Sequence, residues 1–188
     1  KREENFESPV RQHIADKPDY FPKLAQAMVW DDVQFISDKP GGNENWFYLN
    51  GGGETTRLLI EQVCNAKESV LIQSPYLVLP KGRIKLFKQL VKRGVSVNII
   101  TKSLASTDSL MAFSGYHKQR DKLLKAGVEI FEFKPHPVIK AELIERYPQL
   151  KDKKTIFALH AKSMVIDGAT IYICTFNLDP RSANLNTE

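Results

Sequence analysis

The chain has 188 residues, enough for one domain with a hydrophobic core of its own. Hydrophobic residues make up 42% of it and charged residues 26%, an ordinary globular balance, and no apolar run approaches the roughly 20 residues that cross a bilayer. A net charge of +5 favours phosphate-bearing partners, while Cys64 and Cys174, without paired C-x-x-C spacing, argue against a disulfide framework or structural zinc and suit a reducing compartment.

Lys1 stands in place of an initiating methionine and the last residues are a polar run, so the chain reads as a piece of something longer. Residues 1–51 carry scattered prolines (Pro9, Pro18, Pro22, Pro40) and end in a glycine-rich polar stretch. They predict an irregular lead-in with a short helix near Pro22–Trp30 and a strand at "VQFIS", residues 33–37. From residue 52 to 188 the pattern is that of a domain. Leu59, Val63 and Ala66 form a helical stripe, and "SVLIQS" (69–74) is a short apolar run of strand length. Ile84, Phe87, Leu90 and Val91 repeat the helical period, with Gly94 placed to end that helix. "VSVNIIT" (95–101) is a second strand. A Ser/Thr/Asp cluster at 106–109 opens another helix or helix pair, closed by Gly127, and "VEIFEFK" (128–134) is a third strand. Helix and strand in alternation imply parallel crossovers and an α/β sheet covered by helices. Residues 135–154 interrupt the alternation with a long polar connection of the kind that forms binding loops.

The last stretch holds two β-rich runs, 156–167 and 169–177, around Asp167-Gly168, a hairpin signal. A two-residue turn there sets His160 opposite Thr175, and a four-residue turn sets it opposite Asn177. Either register puts His160, Lys162, Thr175 and Asn177 on one face. An imidazole is a nucleophile or general acid near neutral pH, a lysine is a fixed cation, and a hydroxyl and an amide donate hydrogen bonds. Together they can hold a phosphoryl group while its phosphorus is displaced. No carboxylate cluster accompanies the histidine, so neither metal nor other cofactor is expected.

His160-x-Lys162 followed by four residues and Asp167, then "CTFN" (174–177) and "NLNTE" (184–188), resembles the HKD motif of the phospholipase D superfamily. "IQSPYLVLP" and "SGYHKQRDKLLKAGVEIFEFKP" resemble the matching parts of bacterial cardiolipin synthases. The likeness covers residues 52–188, and the lead-in resembles the connection between the two lobes of such proteins. It implies a phospholipase D-like α/β/α sandwich with a mixed sheet, one half of a two-lobed enzyme. The implied catalytic set is His160, Lys162, Asp167, Asn177 and Glu188, with Lys162, Thr175 and Asn177 on the phosphate and Glu188 orienting the imidazole. Asp167 has the opposite side-chain phase, at the turn, where a structural role suits it better than proton transfer. Cys174-Thr175 stands where the family has glycine and serine, and no second HKD motif is present, since His13, His117 and His136 lack a lysine two residues on.

The resemblance implies metal-independent phosphatidyl transfer between phospholipids through a phosphohistidine. It also implies peripheral association with the cytoplasmic face of the bacterial inner membrane. The partners are then phospholipid substrates, the membrane surface, and either an upstream HKD half or a second copy as a homodimer, with nucleic acid not expected. Two rivals stand beside it: a phospholipase D-type nuclease, and a non-catalytic half-domain completing another's site.

Overall fold

The computed structural model describes Ala15 and residues 20–29, 31–38, 53–80, 82–145 and 157–184. Its Cα packing separates residues 1–35 from 36–188. The first unit contains α1 (Tyr20–Gln26), which begins two residues before Pro22, where proline is tolerated in a helix's first turn. The strand expected at 33–37 does not form. Residues 31–38 have no regular structure, and Val33 is 90% exposed. β-branched and aromatic residues make a strand only where a neighbouring strand supplies the ladder bonds, and none does so here among the described residues.

The second unit runs α2 (Glu54–Asn65), β1 (Ser69–Gln73), α3 (Arg83–Lys92), β2 (Ser96–Lys102) and α4 (Leu110–Lys125). It continues through β3 (Glu129–Phe133), α5 (Lys140–Glu145), β4 (Ser163–Ile166), β5 (Thr170–Ile173) and α6 (Pro180–Asn184). The five strands form one mixed sheet in the order β3-β2-β1-β4-β5. β1, β2 and β3 are parallel, and the β4–β5 hairpin joins antiparallel to β1. This is the expected α/β architecture, parallel crossovers first and hairpin last.

Alternation along the strands sends Val70 and Ile72, Val97 and Ile99, and Met164 and Ile166 to one face, where all six are buried. Leu59 and Val63 of α2, Phe87 and Leu90 of α3 and Leu123 of α4 belong to the same core. The opposite face carries Leu71, Phe131, Ile171 and Ile173, all exposed. The α3 and α4 ends are set by glycine. Gly94 and Gly127 both take φ +88°, a left-handed value that costs a side chain with a Cβ. Each closes a paired cap: Gly94 N to Val91 O (2.9 Å) with Val95 N to Leu90 O (3.1 Å), and Gly127 N to Leu124 O (2.9 Å) with Val128 N to Leu123 O (3.2 Å). At the other end of α4 the Ser109 hydroxyl accepts from Ala112 N at 3.3 Å.

The topology decides where the loops gather. The parallel strands end on one edge of the sheet, at Gln73, Lys102 and Phe133. Because β4 runs against β1 with Gln73 opposite Ser163, the residues just before Ser163 lie on that edge. β5 returns to it, with Ile173 opposite Ser163. His160, Lys162, Thr175 and Asn177 therefore share the carboxyl edge of the parallel strands, where open α/β sheets place their ligands.

Candidate active site

The hairpin that carries the motif takes a register between the two expected ones. Ile166 pairs with Thr170, leaving Asp167, Gly168 and Ala169 in the loop. Asp167 and Gly168 both have positive φ, 53° and 62°, and Ala169 N bonds Ile166 O at 3.1 Å, so a tight turn is followed by one extra residue. Asp167 N also donates to Ser69 O at 2.8 Å, which fastens the turn to β1. The single-residue step changes the pairing beyond the ladder: Cys174 N donates to Lys162 O at 3.1 Å, putting Cys174 across from Lys162. The expected face of His160, Lys162, Thr175 and Asn177 is therefore not made by strand alternation, and β4 itself begins only at Ser163.

What unites His160 and Lys162 is a direct contact. Lys162 Nζ lies 3.1 Å from His160 Nε2 and donates to His160 O at 3.0 Å. Both side chains are accessible, on the approach to β4. An ammonium donates and has no lone pair, so in this contact Nε2 is the acceptor. The Nε2 lone pair is thus engaged by the Lys162 ammonium, which sets a cation beside the imidazole, where the negative oxygens of a phosphoryl electrophile would be attracted. Upstream, Phe157 N donates to Pro135 O at 3.3 Å, fastening this segment to the loop after β3.

Thr175 and Asn177 reach the same edge from β5, Thr175 exposed and Asn177 half-buried. Asn177 Oδ1 is enclosed and has no hydrogen-bond partner among the described residues. Its backbone is firmly held. Asn177 N donates to Ser182 Oγ at 3.2 Å, Leu178 N to the buried Ser74 Oγ at 3.1 Å, and Val78 N to Leu178 O at 2.7 Å. The segment after β1 and the segment after β5 are thereby stitched together beside the histidine's strand.

Asp167, which the resemblance places in the catalytic set, lies apart from the histidine and lysine in this structure. β4 separates it from His160 and Lys162, roughly 13 Å of extended chain. Its carboxylate accepts from the backbone N–H groups of Lys67, Glu68 and Ser69 at 2.8–3.1 Å. Those bonds, Ser69's first, hold the carboxyl below its ordinary pKa, as a fixed anion that pins the hairpin to the start of β1. Glu188 lies outside the described residues.

A further polar cluster on the same edge escaped the sequence reading. Lys102, at the end of β2, is 3% exposed, and its ammonium meets Asp108 Oδ1 at 2.6 Å and lies 5.0 Å from the centre of the Tyr76 ring. Tyr76 OH donates to the same carboxylate oxygen at 3.0 Å. Lys102 chiefly holds the Asp108 carboxyl below its ordinary pKa, whereas burial and the neighbouring Asp108 push the Tyr76 phenol up. The only sequence signal was a lysine closing an apolar strand. Tyr116 is buried: its hydroxyl donates to Glu132 at 2.8 Å and Arg120 pairs with the same carboxylate at 3.1 Å. Desolvation and Glu132 raise its pKa well above that of a free phenol.

The sequence profile of the family described as "Cardiolipin synthase, PLD-like domain" matches residues 59–188. The chain belongs to that family, within the phospholipase D superfamily. Among the relatives of this PLD-like domain, cardiolipin synthase C of Escherichia coli K12 is 33% identical over 189 residues, covering 96% of the chain and 36% of that protein. An uncharacterized protein of Helicobacter pylori J99 is 31% identical over 185 residues, covering 97% of the chain and 34% of the relative. The chain thus spans about a third of the length of these curated relatives. Among solved structures, Nuc, a phospholipase D family member of Salmonella typhimurium, superposes with a TM-score of 0.49 at 17% identity over 70% of each chain.

Proposed function

We propose that this domain supplies one of two half-sites for phosphatidyl transfer between phospholipids, the reaction that makes cardiolipin. The observation that carries the reading is the His160–Lys162 pair on the carboxyl edge of the sheet, in a chain of the cardiolipin synthase domain family. In this reading His160 Nε2 meets the substrate phosphorus on one side and a second histidine stands on the other. If His160 is the nucleophile, an N–P bond forms as the P–O bond to the leaving alcohol breaks, and the opposite histidine protonates that alcohol. A hydroxyl of a second lipid then attacks phosphorus, the N–P bond breaks, and the opposite histidine takes the proton. If His160 is the acid/base partner, the same steps run with the roles exchanged. Lys162, Thr175 and Asn177 hold the non-bridging oxygens, and Glu188 takes the imidazole Nδ1 proton as a hydrogen bond.

The second half-site comes from an upstream HKD-bearing lobe, residues 1–51 linking the lobes and 52–188 forming this one, or from a second copy across a dimer axis. The protein then works peripherally on the cytoplasmic face of the bacterial inner membrane.

The test is turnover of a fluorescent phospholipid by the parent protein and by its His160→Ala and Lys162→Ala variants, with an oligonucleotide phosphodiester assayed in parallel. Transfer should fall about a hundredfold or more in each variant while circular dichroism is unchanged. Undiminished transfer in either variant would remove these residues from the chemistry. Cleavage of the oligonucleotide without lipid transfer would favour a nuclease, and neither activity in an intact two-lobed protein would favour a non-catalytic half.

A further inference from the structure

The loops on the carboxyl edge of the sheet expose apolar side chains that nothing in the fold requires. Leu104 follows β2, Leu110 and Met111 open α4, and Val138 and Ile139 follow β3; Met111 is 87% exposed and Val138 fully so. A globular domain leaves single apolar residues on its surface, but an apolar group gathered at one end of the fold marks a contact site. These loops are neighbours. Ser103 Oγ donates to Phe133 O at 2.7 Å, tying the loop after β2 to the end of β3, and the Phe157–Pro135 bond ties the loop after β3 to the segment entering His160.

Charge selects the partner. From Phe133 to Ala141 the sequence holds Lys134, His136 and Lys140 and no acidic residue. The loop between β2 and α4 has one acid, Asp108, and Lys102 neutralises it. Lys162 adds a further cation at the same edge. Apolar tips ringed by lysines match the boundary of an anionic bilayer, with the tips among the upper acyl carbons and the ammonium groups at the phosphates.

We propose that Leu104, Leu110, Met111, Val138 and Ile139 form a membrane-docking rim that seats the mouth of the candidate site on an anionic lipid surface. The proposal rests on the lipid-transferring reading of that site and names how the site reaches its substrate. A phospholipid keeps its acyl chains in the bilayer while its phosphodiester reacts, so His160 must be held at headgroup depth. The rim gives that depth without a membrane-spanning helix, and no described helix is long and apolar enough to span.

The experiment is flotation of the 188-residue chain with phosphatidylglycerol/phosphatidylcholine vesicles and with phosphatidylcholine vesicles, read as bound fraction without any turnover assay. The variant is Met111→Asp/Val138→Asp: both positions are almost wholly exposed, and an aspartate in the first turn of α4 suits the helix dipole, so the fold is kept. A control, Ile171→Ser, alters an exposed apolar residue of β5, the strand at the opposite side of the sheet from β3. The expected result is binding to the anionic vesicles that weakens about tenfold or more in the rim variant and is unchanged in the control. Equal binding by the rim variant, or no binding by the folded wild-type chain, overturns the proposal. So does a change in sedimentation of the rim variant without vesicles, which would give the rim to a protein partner. Because binding is read apart from transfer, a chain that docks through the rim while its parent transfers no lipid sinks the reaction and leaves the rim standing.

Discussion

Replacing Asp108 with asparagine should destabilise the domain more than its surface position suggests. Asp108 is 60% exposed, but the ammonium it neutralises is 3% exposed and 2.6 Å away. The amide keeps the size and removes the charge, leaving Lys102 buried with no counter-ion. Breaking a fully buried pair costs about 3–5 kcal/mol, and a fully exposed one about 0–1. With one end sheltered and the other screened by solvent, the Lys102–Asp108 pair falls between, at about 2 kcal/mol. At the usual 2–4 °C per kcal/mol for domains of this size, the melting temperature should drop by roughly 4–8 °C. Adding Lys102→Met to Asp108→Asn should recover most of the loss, because the orphaned charge is gone. The pH dependence has a definite sign. The Asp108 carboxyl is held below its ordinary pKa, so its contribution is full above the unfolded carboxylate's pKa, about 3.9, and fades as pH falls through the folded one. Thermal melts of wild type, single and double variants at pH 7 and pH 3 test this. An Asp108→Asn protein as stable as wild type at pH 7, or a double variant no better than the single, would refute the argument that a buried ammonium sets the cost.

Asp167→Asn should lower the melting temperature at pH 7 and do so less at pH 3, since the carboxylate bound by three backbone N–H groups is lost on protonation; an equal effect at both pH values would deny it an anionic role. The same variant, if it stays folded at the assay temperature, should leave the Lys162–His160 contact and the parent's catalytic rate nearly intact, measured as kcat on a fluorescent phospholipid. Gly94→Ala and Gly127→Ala share φ +88°, yet a Cβ at Gly94 meets open space while one at Gly127 would lie 2.6 Å from Val91 Cγ1. Denaturant melts should show about 1 kcal/mol lost at Gly94 and about 2–3 at Gly127, the difference being the clash. Leu123→Ala, at a side chain with no exposure in the core beneath the sheet, should cost about 2–5 kcal/mol by the same measurement.

The local order of this domain was determined by its sequence. Apolar periodicity marked α2, α3 and β1 to β3, because a helix or strand that buries one face must write that face at its own period. Gly94 and Gly127 marked helix ends because left-handed caps exclude most other residues. His160-x-Lys162 marked the candidate chemistry because the pair meets through its own two side chains, a contact that needs no distant partner. Tertiary structure decided the rest. "VQFIS" has strand composition and no strand beside it. The hairpin register turned on one residue, Ala169, and on Asp167 binding the start of β1, some 98 to 100 positions earlier in the chain. Those bonds fasten the Asp167 carboxylate to the start of β1, although the motif writes it beside the histidine and lysine. Lys102, Tyr76 and Asp108 looked like three unrelated residues until the end of β2 and the loops after β1 and β2 came together, because a charge's partner depends on distance in space and sequence spacing does not record it.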